Sequence, residues 1–257
     1  MSVRLEREDE LAVITFDSPP LNLFDAKLER ELDGAVGELE RNPARAVLFR
    51  AEGRVVSGGV DVSLFAALAT SDAAATQFDR GIELTDRVQH LECPTVFAAH
   101  ALCLTWAFEL ALACDLILAA TSARFGLVEK VVGLTPAMGG TQRLAERAGS
   151  GRALEFVMTG EPYDAATLER WNVINRVLPD EGFDEAARAF AAELAAGPTR
   201  AHAATKQVVR DYLRGGVELA NQRVGGVAGA LFDTEDLQRA VQSFLEQGPG
   251  KASFSGR

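Results

Sequence analysis

PTVFAAHALCLTWAFELALACDLILAA, residues 94–120, reads as two strands joined by a short helix. PTVFAAH (94–100) is rich in β-branched and aromatic residues and begins at a proline, which a strand tolerates at its first position. DLILAA (115–120) is apolar enough to be a strand with no solvent-facing side. The fifteen or so residues between them suffice for one short helix and a parallel return. A single carboxylate, Glu109, stands inside this apolar run. It falls in the first turn or two of the expected helix, where free N–H groups and the positive end of the helix dipole favour an acid.

The same alternation extends in both directions. LAVITF (11–16) is a strand ended by the turn residues DSPP, and 23–42 carries Leu28, Leu32, Val36 and Leu39 at helical spacing. AVLFRAE (46–52) is a further strand, GRVVSGGVD a loop, and 62–92 mostly helical. TLERWNVINRVLP (167–179) reads as a helix end followed by a strand. Strands alternating with helices imply an α/β fold with mostly parallel pairing. After about residue 195 only helical patterns remain, so residues 1–195 are expected to form the core and 196–257 a helical appendage.

Composition limits the function classes. Hydrophobic residues make up 47% and charged residues 25% of 257, an ordinary globular profile. A net charge of −11 argues against general binding to nucleic acid or anionic membranes. Cys93, Cys103 and Cys114 form no C-x-x-C pair, and with His90, His100 and His202 they make no zinc pattern. The charged N-terminus has no apolar signal core and no segment has the length of a bilayer span, so a cytoplasmic protein is expected.

Three elements bear on chemistry. VVSGGVD (55–61) follows a strand, where glycines permit a tight turn and expose N–H groups to a ligand; a simple turn is the plain alternative. ARFGLVEKVVGLTPAMGGTQRLAERAG (123–149) holds a second acid, Glu129, in an apolar setting, followed by two glycine turns; a lone Glu beside Lys130 is ordinarily a solvated surface residue, which is the plain alternative. Glu109 is the third. His100 and Cys103 have no apparent orienting partner, which makes a base and thiol pair a poor candidate.

Together these elements resemble the crotonase, or enoyl-CoA hydratase/isomerase, family. The pattern A-R-F-G-x-x-E-x-x-x-G-x-x-P-x-x-G-G-T-Q-R-L lies on Ala123–Leu144. The resemblance continues in the S-G-G-V-D loop, ELALACDLILA and TGEPYDAATLERWNVINRVLP, from about residue 10 to the F-S-G-R tail. It implies a spiral of ββα units with a C-terminal helical trimerisation region, in trimers commonly paired into hexamers. The implied substrate is an acyl-CoA thioester, with no metal and no cofactor beyond the CoA of the substrate. The implied reaction is hydration of a trans-2-enoyl-CoA. A Δ3,Δ2-enoyl-CoA isomerase and a non-catalytic acyl-CoA-binding protein are the alternatives. By position, the backbone N–H groups of Gly58 and Trp106 would form the oxyanion hole, while Glu129 would protonate the α-carbon and Glu109 hold and activate the water. Ser57, Gly59, Asp61, Gly133 and Pro136 would stand against the substrate, with Phe244 and Lys251 candidates for the adenine end of CoA.

The chain departs from the family pattern where N-G and G-G-G are usual: it has His100-Ala101 and Thr105-Trp106-Ala107. Only proline removes a backbone N–H, so the hole survives these changes. Trp106 leaves three outcomes: its ring fills part of the acyl pocket, turns into another cavity, or selects a small or flat acyl group.

Overall fold

The computed structural model describes residues 2–257. β1 (Val3–Glu8) and β2 (Leu11–Phe16) form a tight antiparallel hairpin. α1 (Ala26–Arg41) is capped by Asp25, whose carboxylate accepts the N–H groups of Lys27 and Leu28. β3 (Ala46–Ala51), the short α2 (Ser63–Ala66) and α3 (Ser71–His90) follow. The stretch 94–120 resolves into β4 (Thr95–Ala99), a two-residue β5 (Cys103–Leu104), α4 (Trp106–Ala113) and β6 (Leu116–Ala120). Next come β7 (Arg124–Gly126), α5 (Gly140–Ala148), α6 (Ser150–Thr159), β8 (Tyr163–Asp164), α7 (Ala165–Arg170), β9 (Arg176–Leu178) and α8 (Phe183–Ala196). α9 (Thr199–Gly229) and α10 (Glu235–Gln247) complete the chain.

β1-β2-β3-β4-β6-β9 make one sheet, parallel after the first hairpin, and β5-β7-β8 make a second. This is the α/β architecture with mostly parallel pairing expected from the sequence, with a helical C-terminal region. β1 and the three-stranded sheet had no counterpart in the sequence reading. β5 and β8 are two residues each, too short to show a period. All eight residues of α4 are buried, which fits a helix enclosed on every side. Among the described residues, no helix is long and apolar enough to cross a membrane.

α9 is broken at Gly215 and Gly216; Gly216 has φ +68°, a conformation that favours glycine. Its first half is fastened to the core through Lys206, whose ammonium lies 2.7 Å from the Asp115 carboxylate and donates to the Cys93 carbonyl. Arg45 binds the Gly197 and Phe254 carbonyls and the Thr199 hydroxyl, holding the start of α9 and the tail against the core.

Candidate active site

Glu109 lies in the first turn of α4, 3% exposed. Its carboxylate does not serve its own helix. Oε1 accepts the N–H groups of Met138 (2.8 Å) and Gly140 (2.9 Å) at the start of α5, so the favourable dipole end belongs to a different helix. Burial raises the Glu109 pKa to about 7, against the lowering by those two N–H bonds and by Arg143. Arg143, itself buried, donates to the Met138 carbonyl, the Thr85 hydroxyl and Asp86, and thereby fixes the peptide that lies between the two N–H donors to Glu109.

Glu129 opens the single turn of 3₁₀ helix Glu129–Val132. Its Oε2 is buried and has no hydrogen-bond partner among the described residues. Burial first, and the nearby charge of Glu109 second, raise its pKa to about 8. The two acids therefore hold their protons unequally. Glu109, supported by two N–H donors, ionises first, and Glu129 keeps its proton.

Both acids line one cavity with about 60 Å³ of free space. Its walls are Phe24, Val60, Leu64, Phe65, Gln77, Phe78, Gly81, Leu134, Thr135, Ala137 and Met138. Phe65 and Phe78 meet edge to face at 6.5 Å, and Met138 Cγ lies 2.8 Å from where a Cβ on Gly81 would stand. Val60 and Leu134, Thr135, Ala137 and Met138 lie within the quoted loop and motif without having been singled out, and the remaining wall residues come from loops and helices that no motif marks.

The expected donor Gly58 is corrected. Its N–H is already bonded to the Leu21 carbonyl at 2.7 Å, so it is not available to a ligand. Two residues on, Val60 lines the cavity, and among the described residues its N–H has no acceptor. The Gly59 carbonyl accepts the Phe24 N–H, which turns the opposite side of that trans peptide, the Val60 N–H, away from the Phe24 strand. At the start of α4, the Trp106 N–H likewise has no acceptor among the described residues, while the Thr105 carbonyl accepts the Glu109 N–H.

The Trp106 ring takes the second of its three possible places. It is wholly buried, 5.0 Å from the Phe16 ring and 5.4 Å from Phe24, and it is not part of the cavity wall. Ser57, Gly59, Asp61, Gly133 and Pro136 are also outside that wall. Ser57 is fully buried, Gly59 (φ +117°) and Gly133 (φ +76°) bend their loops, and Asp61 accepts the Ser63 N–H. Cys103 is fully buried, with its thiol pKa pushed well up, and His100 Nε2 bonds the Gly53 carbonyl; they form no nucleophile and base pair.

A family model described as enoyl-CoA hydratase/isomerase matches residues 6–257. The chain belongs to the enoyl-CoA hydratase/isomerase family. A probable enoyl-CoA hydratase of Rhodobacter capsulatus is 31% identical, with 100% of this chain and 98% of that one covered. A short-chain-enoyl-CoA hydratase of Clostridium acetobutylicum is 28% identical over 96% of this chain and 95% of its own. The crystal structure of a putative enoyl-CoA hydratase from Streptomyces coelicolor A3(2) superposes with a TM-score of 0.93 at 29% identity, covering 100% and 95% of the two chains. This enoyl-CoA hydratase/isomerase family member thus keeps both acids of the family pattern within one cavity, although its Trp106 stands where glycine is usual.

Proposed function

We propose that the chain is an enoyl-CoA hydratase, adding water syn to a trans-2-enoyl-CoA to give a 3-hydroxyacyl-CoA. One observation carries this reading: two carboxyl groups of raised and unequal proton affinity line the same cavity. The ionised Glu109 accepts a proton from water as the water oxygen bonds to the β-carbon. The protonated Glu129 delivers its proton to the α-carbon. The charge that develops on the thioester oxygen is met by the Val60 and Trp106 N–H groups, fixed in place before reaction, the arrangement that contributes most to such catalysis. Hydrogen bonds suffice for this enolate-like state, so the reading calls for no metal or redox cofactor; CoA enters with the substrate.

The cavity is narrow, with about 60 Å³ of free space between aromatic and aliphatic walls. That favours a short acyl group, in line with the name of the Clostridium relative. The working form is proposed to be a cytoplasmic homotrimer or a hexamer of paired trimers.

The test is hydration of enoyl-CoAs of short, medium and long chain, followed by loss of the conjugated thioester absorbance with the product identified by mass. Turnover strongest at four carbons and lowered by at least about 100-fold in both Glu109→Gln and Glu129→Gln is the expected outcome. Activity that survives Glu109→Gln but not Glu129→Gln points instead to an isomerase. Binding without turnover at any chain length leaves an acyl-CoA-binding role.

A further inference from the structure

The bond between the Trp106 indole and the Ser57 hydroxyl has no part in the proton transfers just described. Trp106 Nε1 donates to Ser57 Oγ at 2.7 Å. Ser57 Oγ also accepts the Gly59 N–H at 3.0 Å and donates to the Asn22 carbonyl at 2.9 Å. A hydroxyl has one proton and two lone pairs, so these three bonds fill it. Ser57 is fully buried, which leaves water no route to replace a lost partner.

Two of the three partners lie on the segments that carry the donors of the hole, and the third, Asn22, lies on the segment that pairs with the Gly59 loop. Gly59 precedes Val60, and its N–H bond to Ser57 holds the left-handed Gly59 that sets the direction of the Val60 peptide. Trp106 is the first residue of α4 and carries the other unpaired N–H. Its ring is held in turn by Phe16 and Phe24. Where the family pattern has glycine, this chain has an indole donor reaching across to the opposite segment.

We propose that the Ser57 hydroxyl and the Trp106 indole form a tie that sets the spacing of the Val60 and Trp106 N–H groups. Ser57 and the Trp106 side chain are then positioning groups for the thioester carbonyl. This rests on the hydratase reading and adds to it the part played by this chain's departure from the glycine pattern. The tie fixes where the donors stand when substrate arrives, so its loss acts on turnover more than on binding.

The test uses the full chain as Trp106→Phe, Ser57→Ala, their double variant and Phe49→Leu. The probes are a four-carbon enoyl-CoA for turnover and 2,4-hexadienoyl-CoA, whose absorbance moves to longer wavelength when its carbonyl is polarised. Each tie variant is expected to lose about 10- to 100-fold in kcat, keep KM within about threefold and shrink the absorbance shift. The double variant is expected to be no worse than either single one, as for two ends of one interaction. Phe49→Leu loosens the core one shell away, where Phe49 stacks on Phe97 and not on Trp106, so it should lower Tm and retain the shift. Wild-type kcat and shift in folded Trp106→Phe and Ser57→Ala overturn the proposal, as does a loss of shift that Phe49→Leu reproduces. If the wild type neither hydrates the enoyl-CoA nor shifts the dienoyl band, the hydratase reading falls and the tie falls with it. If the tie variants fail to fold, replacing the Trp106 indole by its benzothiophene isostere removes only the donor, and the same two outcomes decide.

Discussion

Glu109 and Glu129 are both held above the usual carboxylate range, about 7 and about 8, chiefly by burial. A folded-state pKa above the unfolded one means that the folded chain binds more protons, so stability falls as pH rises. The contribution of the pair is complete below about pH 4.5, where the unfolded acids are also protonated, and is lost as pH climbs through 7 to 8. Near pH 6 the two acids together account for up to about two extra bound protons in the folded chain. Glu129→Gln should therefore flatten the pH dependence of the unfolding free energy by roughly 1.4 kcal/mol per pH unit between pH 5.5 and 7. Denaturant melts at stepped pH check this; an unchanged slope would mean that Glu129 is ionised in the folded protein. The same groups that set the proton economy of the site thus leave a signature in stability, measurable without any substrate.

At the scale of elements, the site is a meeting of helix starts and loops, and this decided what the sequence could show. β2, β3, β4, β6 and α1 were legible because period and composition agree there: β2 came out at Leu11–Phe16, and α1 at Ala26–Arg41 within the expected 23–42. The acids were legible through the spacing of the family motif. The donor was not, since which N–H stays free depends on a remote pairing: the bridge of Phe24 with Val60, and the Leu21 carbonyl on Gly58. A motif marks flexible glycines, but only the partner segment shows which N–H remains open. The close approach of α4 to the start of α5 gives a direct test. A Cβ on Gly140 would stand 2.6 Å from Glu109 Cγ and 3.0 Å from Oε1, so Gly140→Ala must displace the carboxylate or the α5 start. Displacements of about 1 Å cost on the order of 100-fold in rate, and that fall in kcat is expected with KM changed little. Steady-state kinetics beside a circular-dichroism melt separates this from unfolding; wild-type kcat would show that Glu109 tolerates the shift.

Over the whole molecule, the distribution of apolar surface is uneven. The interior of the core holds the large side chains Phe16, Phe49, Phe97, Trp106, Phe108 and Phe125 in full burial. Beyond the Arg45 clamp, the helices leave Tyr212, Leu213, Val217, Phe232, Val241, Phe244 and Leu245 exposed, with Leu245 at 80%. Single exposed apolar residues are ordinary, but Leu237, Ala240, Val241, Phe244 and Leu245 line one shared depression on α10. Phe244 in that depression is better explained as a contact between chains than as the adenine contact considered from sequence. A closed ring of identical subunits covers such faces without leaving an open edge. The expected mass by light scattering and native mass spectrometry is that of three or six chains. Phe244→Glu with Leu245→Lys, which puts charge onto the face, should shift the protein to a lower oligomer. A wild-type chain that runs as a monomer at micromolar concentration would remove the trimer proposal. The core carries both acids and both unpaired N–H groups, so monomers that keep activity would place the whole reaction within one chain, whereas activity lost with assembly would mean that α9 and α10 of a neighbour complete the site.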